Sequence, residues 1–406
     1  MVFVRLLRIL VFIVFLCIIF YSYAQKSSYD SKKDKMVVSG DEGFFKKGYT
    51  RFKGNAYVEK GTVKMFADVI EYFETNNLAL GKGNVRLFDS SSGLNVVSGY
   101  SEYYGNSNIV LFFNSPLLTV SNKKMLLKGE VIVLDQDSES VLSITNSYLS
   151  NDGIEMLSHS IKIFSSSNLI VLSGSSKIFS TNFVIYSDRA FIHSGTNKNT
   201  KEVEIKRYVG IGGVVIVGSN FSLSSKKIVI NFSNGQLFDY VAFGDVKISN
   251  NNAIVFADYF KSQFLGGDDV LHVGMTNVVV SNLSSGDVLY SDYLISDKLN
   301  KYELIAGDDV IYYINNGSVK VKSKVVERFL DRGIAILKKD VVVQSGNISI
   351  VGDIGKYDEG TKILYMLGNP KVVSEDKLGV SANVITIDVE KNKAQIENGL
   401  YGYVMQ

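Results

Sequence analysis

Few side chains in this sequence have the types and spacing that chemistry needs. The histidines are His159, His193 and His272. A metal site or a general base would need carboxylates at ligand spacing beside them, and no such motif surrounds any of the three. They read as solvated or turn residues. Two carboxylate pairs, Asp268-Asp269 and Asp308-Asp309, would offer an acid and a base for glycoside cleavage if the fold stacked them along one edge. Both stand beside turn glycines (Gly266, Gly267 and Gly307), which favours a structural reading. Gly210-Ile211-Gly212-Gly213 precedes a strand and not a helix, so it is a turn and no phosphate loop. No nucleophile elbow or His-Glu-x-x-His motif occurs. Cys17, the single cysteine, follows Phe15 and Leu16 inside an apolar run, which argues against lipidation. The chain is therefore expected to be no enzyme, with no catalytic residue, no metal site and no cofactor.

One acidic residue does recur. Asp68, Asp188, Asp258 and Asp353 lie 11 or 12 residues after Ala56, Lys177, Val246 and Val341, and Asp292 lies 14 after Val278. A small residue precedes each one, and most lead into an apolar stretch. Small-Asp between two strands reads as a corner, where the carboxylate accepts from nearby backbone N–H groups. A metal role is the lesser alternative.

The elements that hold these corners are strands. Pro occurs twice, Trp is absent, and Tyr and Phe number 23 and 24. β-Branched and aromatic residues suit a pleated surface, while Gly, Asn and Ser supply turns. The strand that follows a glycine turn opens at Val214, Val246, Val278, Val310, Val341 and Val372, at spacings of 32, 32, 32, 31 and 31. The phase continues upstream at Ala56, Val85 and Leu117, with weaker units near Ser147 and Lys177 and a polar insertion over 194–207. About eleven units follow, each expected to hold two or three short strands. One unit cannot bury its apolar face alone, so units must stack. With one rung per unit at about 4.8 Å, eleven units predict a rod on the order of 50 Å long. Alternation turns Val85 and Leu87, Val214 and Ile216, Val246 and Ile248, Val278 and Val280, Val310, and Val341 and Val343 to one inward face.

The N-terminus reads as an export signal over residues 1–24. Arg5 and Arg8 precede the apolar run Ile9 to Tyr21, and Ser22-Tyr23-Ala24 resembles a cleavage site before Gln25. Thirteen apolar residues suit a signal better than a membrane span of about 20; an uncleaved inner-membrane anchor is the alternative. Residues 25–43 read as a flexible lead, and 44–406 as the repeat domain. Without residues 1–24, two arginines are gone and 41 basic residues balance 41 acidic ones. A neutral surface gives no electrostatic reason to bind nucleic acid. The exported chain would carry no cysteine, hence no disulfide.

Two patterns in the repeat resemble a known family. Gly83-Asn84-Val85-Arg86-Leu87 and Gly244-Asp245-Val246-Lys247-Ile248, with Ala67-Asp68-Val69-Ile70-Glu71-Tyr72 and Ala257-Asp258-Tyr259-Phe260, are similar to the repeat of the OstA-like periplasmic proteins. These are the LptA family of lipopolysaccharide transport, and the likeness spans roughly residues 50–400. It implies an all-β stack of V-shaped rungs, a β-jellyroll or β-taco open on one side. It also implies a periplasmic bridge whose groove carries lipopolysaccharide or a related amphipathic lipid towards the outer membrane. Its partners would be inner-membrane and outer-membrane transport components with similar β edges, or further copies joined head to tail. The eleven inward positions named above would then be lipid-binding. Periodicity alone favours a closed, filled core, as in a structural or adhesive surface β-solenoid; the resemblance favours the open groove.

Overall fold

The computed structural model describes residues 36–404 except 61–62, 91–92, 121–124, 136, 152, 181–182, 197–202, 234–235, 266–267, 315, 347, 375–377, 392 and 398–400. The export segment 1–24 and the start of the lead lie outside the described residues. The rest of the lead is structured. Met36–Ser39 and Glu42–Lys46 are strands, paired with the two halves of Tyr49–Lys60. The described residues form thirty strands and one short 3-10 turn, Glu74–Asn76, so the chain is all-β. It divides into two compact units, 1–210 and 211–406.

Within each unit the strands pair antiparallel in chain order. In the first, Tyr49–Lys60, Val63–Phe73, Leu78–Asp89 and Leu94–Tyr104 each pair with the next. In the second, Asp268–Asn282, Val288–Asp297, Tyr302–Ile314, Val319–Phe329 and Ile334–Ser345 do the same. A 31-residue repeat is thus two long strands, not the two or three short ones expected from one rung. Each strand is a rung of its own, so one repeat advances the stack by about 9.5 Å, twice the expected step.

Register shifts mark a corner at the middle of each long strand. Phe66 pairs with Arg86 and Val69 with Lys82, leaving one extra residue on the strand Leu78–Asp89. The extra residue returns in Asp239–Ile248, where Phe243 pairs with Tyr259 and Val246 with Ala257. It therefore falls on alternate strands, and this bulge gives the sequence its two-strand period. The bulge is a left-handed pair such as Gly83 (φ 71°) and Asn84 (φ 49°). A Cβ at position 83 would collide with the Asp68 carboxylate, so both the backbone and the space require glycine. The two prolines serve the same purpose. Pro116 separates Ile109–Phe113 from Leu117–Val120, and Pro370 separates Ile363–Leu367 from Lys371–Ser374. A residue without an N–H is tolerated where the ladder breaks.

The corner folds each strand so that its halves lie in two facing walls. In each unit the wall that carries the corner valines (Val85 in the first, Val246 and Val341 in the second) is the valine wall, and the other the facing wall. In the first unit a Cβ at Gly81 on the facing wall would come 2.6 Å from Met65 Cε on the valine wall. In the second unit one core cluster unites Val310, Val321 and Val341 with Ile305, Val326, Leu337 and Leu364 from opposite walls. Each such side chain contributes about 1.5–3 kcal/mol by leaving water. Where the walls converge small residues recur: Ala56, Ala67, Ser98, Ser147, Ser187, Ala257, Ser291 and Ser323 are buried there. The expected insertion over 194–207 is largely strand, since Phe183–Thr196 and Val203–Gly218 run on either side of 197–202.

Candidate functional site

All eleven inward positions named from the sequence lie on the inner face of the valine wall. Val85, Val214, Val246, Val278, Val310, Val341 and Val343 are at most 1% exposed, Leu87 is 3% and Ile216 is 6%. Ile248 and Val280 are half-buried, while Arg86 and Lys247 between them point outward. The corner valines meet a small partner in the next strand: Val85 opposes Ser98, Val278 Ser291, Val310 Ser323 and Val341 Gly352. A bulky side chain against a small one fills the apex without a void. Each therefore faces the interior of its own unit, Val85 and Leu87 in the first and the other nine in the second, and most are buried in packed core. Val280 and Val310 line an open space.

That space is a cleft of about 490 Å³ in the second unit. Its floor comes from both walls: Val280, Leu289, Val310 and Val321 on one, Ile305, Val326, Leu337 and Leu364 on the other. Its mouth lies at the strand ends away from the corner, where Asp287, Arg328, Glu359, Lys362 and Glu390 gather. An apolar floor with a few polar groups at the entrance is the usual anatomy of a small-molecule site, and the volume is within its usual range. A second cleft, of about 770 Å³, opens in the first unit between Val37, Val38, Phe45, Phe52, Val58, Ile70 and Tyr72. It lies where Met36–Ser39 and Glu42–Lys46 each cover half of one strand.

The mouth of the 490 Å³ cleft is organised by Arg328. Its Nη1 donates to Glu303 Oε2 at 2.5 Å, while Nε and Nη2 donate to Glu359 Oε1 at 3.0 and 2.8 Å. Glu303 also accepts from Ser296 Oγ at 2.9 Å. Burial opposes the charge on Arg328, but the two carboxylates outweigh it and its pKa is raised. Tyr312 donates to Asp287 Oδ2 at 3.5 Å. The hydroxyls of Tyr312 and Tyr357 are pushed up to about 12, first by burial and then by the surrounding carboxylates.

Ser296, Glu303 and Arg328 belong to one lateral row of the facing wall. Tyr240 pairs with Ser262, Ser262 with His272, His272 with Ser296, Ser296 with Glu303, and Glu303 with Arg328. Six adjacent strands of the facing wall thus place six polar side chains in register. The sequence reading missed them because it followed only the valines. The signal was six or seven residues upstream of that marker, where Tyr240, His272 and Glu303 precede Val246, Val278 and Val310.

His272 also needs correction, because it does have a carboxylate partner. Its Nε2 lies 3.1 Å from Asp269 Oδ2, and its Nδ1 lies 3.1 Å from Ser262 Oγ. Lys298 Nζ donates to Asp269 Oδ2 at 3.0 Å. Burial would raise the Asp269 pKa, but His272 and Lys298 together hold it well below the usual carboxylate range. His159 and His193 lie on other strands of the first unit, and His159 is exposed. Among the described residues no group of three or more His, Cys, Asp or Glu converges as metal ligands would.

The other candidates do not assemble. Asp268 and Asp269 open the strand Asp268–Asn282, whereas Asp308 and Asp309 sit in a corner at the opposite end of the facing wall. Asp309 is paired with Lys322 at 2.7 Å. Two of the five corner aspartates accept from side chains, not from the backbone N–H groups expected. Asp68 accepts from Asn84 Nδ2 at 3.0 Å and Asp258 from Asn277 Nδ2 at 2.9 Å. Asp292 alone of these accepts a backbone N–H, that of Asp308, at 3.0 Å. Each bond ties a plain corner to the bulged corner beside it.

No family model matches the chain, and no curated protein matches it. Among solved structures it is similar to LptH from Pseudomonas aeruginosa, the LptA-homologous periplasmic component of the conserved lipopolysaccharide transport device. The identity is 13%, the match covers 33% of this chain and 80% of that one, and the TM-score is 0.16. A superposition that loose carries no argument.

Proposed function

We propose that this chain is a periplasmic carrier that moves lipopolysaccharide or a related amphipathic lipid towards the outer membrane. The observation that carries the reading is the 490 Å³ cleft, whose apolar floor and charged mouth match the two ends of an amphiphile. An acyl chain withdrawn from water into such a floor gains about 0.8 kcal/mol per buried CH₂. The repeat motifs that resemble the OstA-like, LptA family support the same reading. Carriage of this kind needs no catalyst, no cofactor and no metal. An N-terminal export signal, cleaved or kept as an inner-membrane anchor, would bring the chain to that compartment.

Partners would dock by strand addition. Among the described residues Met36–Ser39 and Glu42–Lys46 pair on one side only, as do Lys393–Glu397 and Tyr401–Val404. Such edges offer unsatisfied backbone groups to inner- or outer-membrane components of like shape, or to another copy head to tail. One observation favours a second reading, a structural or adhesive surface solenoid: eight of the eleven inward positions (Val85, Leu87, Val214, Ile216, Val246, Val278, Val341 and Val343) are buried in packed core.

Photo-crosslinking residues at Val280 and Val310, with Val246 as the sealed control, separate the two. Lipid labelled at 280 and 310 but not at 246 is the expected result. Crosslinks confined to the protein at all three positions would sink the carrier reading.

A further inference from the structure

The cleft of the second unit has a selective mouth. Four carboxylates (Asp287, Glu303, Glu359 and Glu390) stand against two cations (Arg328 and Lys362) at or just behind it, an excess of two negative charges. Arg328 is the group that would otherwise receive a phosphate or a carboxylate, but its fork is already closed on Glu303 and Glu359. An anionic head would have to break that network and would then face the remaining acids. Two rings also line the cleft, Tyr312 and Tyr357, half-buried between floor and rim. Aromatic faces beside carboxylates attract an ammonium ion, by the ring quadrupole as well as by charge. The hydroxyls report the same field. Beyond burial, Asp287, Glu359 and Glu390 raise the Tyr357 pKa, and only Arg328 lowers it.

We infer that this cleft takes an amphiphile with a cationic ammonium head, held by Tyr312, Tyr357 and the acidic rim, and with its chain among Val310, Val321, Ile305 and Leu337. This rests on the reading of the cleft as an acyl-chain site and narrows its cargo. Of the lipids considered above, it points to the related amphipathic lipid that bears an amine, not to one whose head is purely anionic.

The test is calorimetric titration of the full chain with three C12 amphiphiles below their micelle concentrations. They are dodecyltrimethylammonium, dodecyl maltoside and dodecyl sulfate. The ammonium compound is expected to bind at least tenfold more tightly than the sulfate and more tightly than the maltoside. Glu390→Gln, an exposed change outside the Arg328 network, should cut the ammonium-to-maltoside ratio at least threefold, and Asp287→Asn should do likewise. Equal affinities for all three heads, or a preference for the sulfate, would overturn the head selection while leaving the apolar cleft in place. A preference unchanged in Glu390→Gln overturns it too. If none of the three binds, the chain site and the head selection both fail.

Discussion

Four residues beyond each corner, the facing wall turns one side chain inward near its mouth, and the two units fill that row differently. In the first unit Val110, Leu134, Val141, Ile163, Ile170 and Ile192 follow one another across neighbouring strands. In the second, the same row reads Tyr240, Ser262, His272, Ser296, Glu303 and Arg328. Strand length, corner and register agree between them, so the backbone does not dictate the chemistry of the row. What permits a polar row is mutual satisfaction. Ser262, His272, Asp269 and Lys298 close one network, and Ser296, Glu303, Arg328 and Glu359 another. Buried polar groups that bond to each other avoid most of their desolvation cost. In the first unit inner hydroxyls bond to one another, as where Ser143 meets Ser147 and Ser187 meets both Ser176 and Tyr208. Across these six strands the first unit is therefore apolar at its mouth, with hydroxyls at its apex. The other presents charge to whatever enters.

Three experiments would break or sharpen this contrast. The largest effect is expected from Leu134→Asp, which puts a lone charge at a position 2% exposed and flanked by Val110 and Val141. Urea unfolding should show a loss of more than about 3 kcal/mol. A loss under about 1 kcal/mol would mean that the first unit's row is wet and the contrast false. Next comes Arg328→Met, which leaves Glu303 and Glu359 facing each other. Because Arg328 is 36% exposed, the cost is set at about 1–2 kcal/mol, well below that of a fully buried pair. The triple change Arg328→Met, Glu303→Leu, Glu359→Leu copies the first unit's chemistry and should return to within about 1 kcal/mol of the parent. A triple variant no more stable than the single one would show that the fold itself needs the charges.

The smallest effect concerns Asp269, whose pKa the folded state depresses. The stability it supplies is fully present above its unfolded value of about 3.9 and drains away as pH falls below that. Asp269→Asn should therefore flatten the acid limb of the urea midpoint below about pH 4 and leave its shape near neutrality unchanged. Parallel acid limbs in both proteins would remove Asp269 from the account.

Much of this architecture was legible in the sequence. The valine marker named the inner face of one wall correctly, because strands of like direction recur at 31–32 residues and alternate with a period of two. The small-Asp corners were legible for the same reason. The doubled strand content was harder to read, because the return strand carries no fixed opening residue. The polar row was hidden by antiparallel geometry. Its members lie 22, 10, 24, 7 and 25 residues apart along the chain, since turns at alternate ends place lateral neighbours at alternating distances. No single period finds such a row; only the register does.

The bond between Asp68 and Asn84, and its counterpart between Asp258 and Asn277, joins consecutive strands and nothing farther away. Every ladder pairing described likewise links strands adjacent in the chain or separated only by a broken corner. Such a molecule can be lengthened or shortened by whole hairpins. Excising one pair, for instance 319–345, would leave the remaining strands free to close on each other in the same sense, with plain and bulged corners still alternating. Gene duplication and loss can then adjust how far the stack reaches while the backbone ladder keeps its pattern.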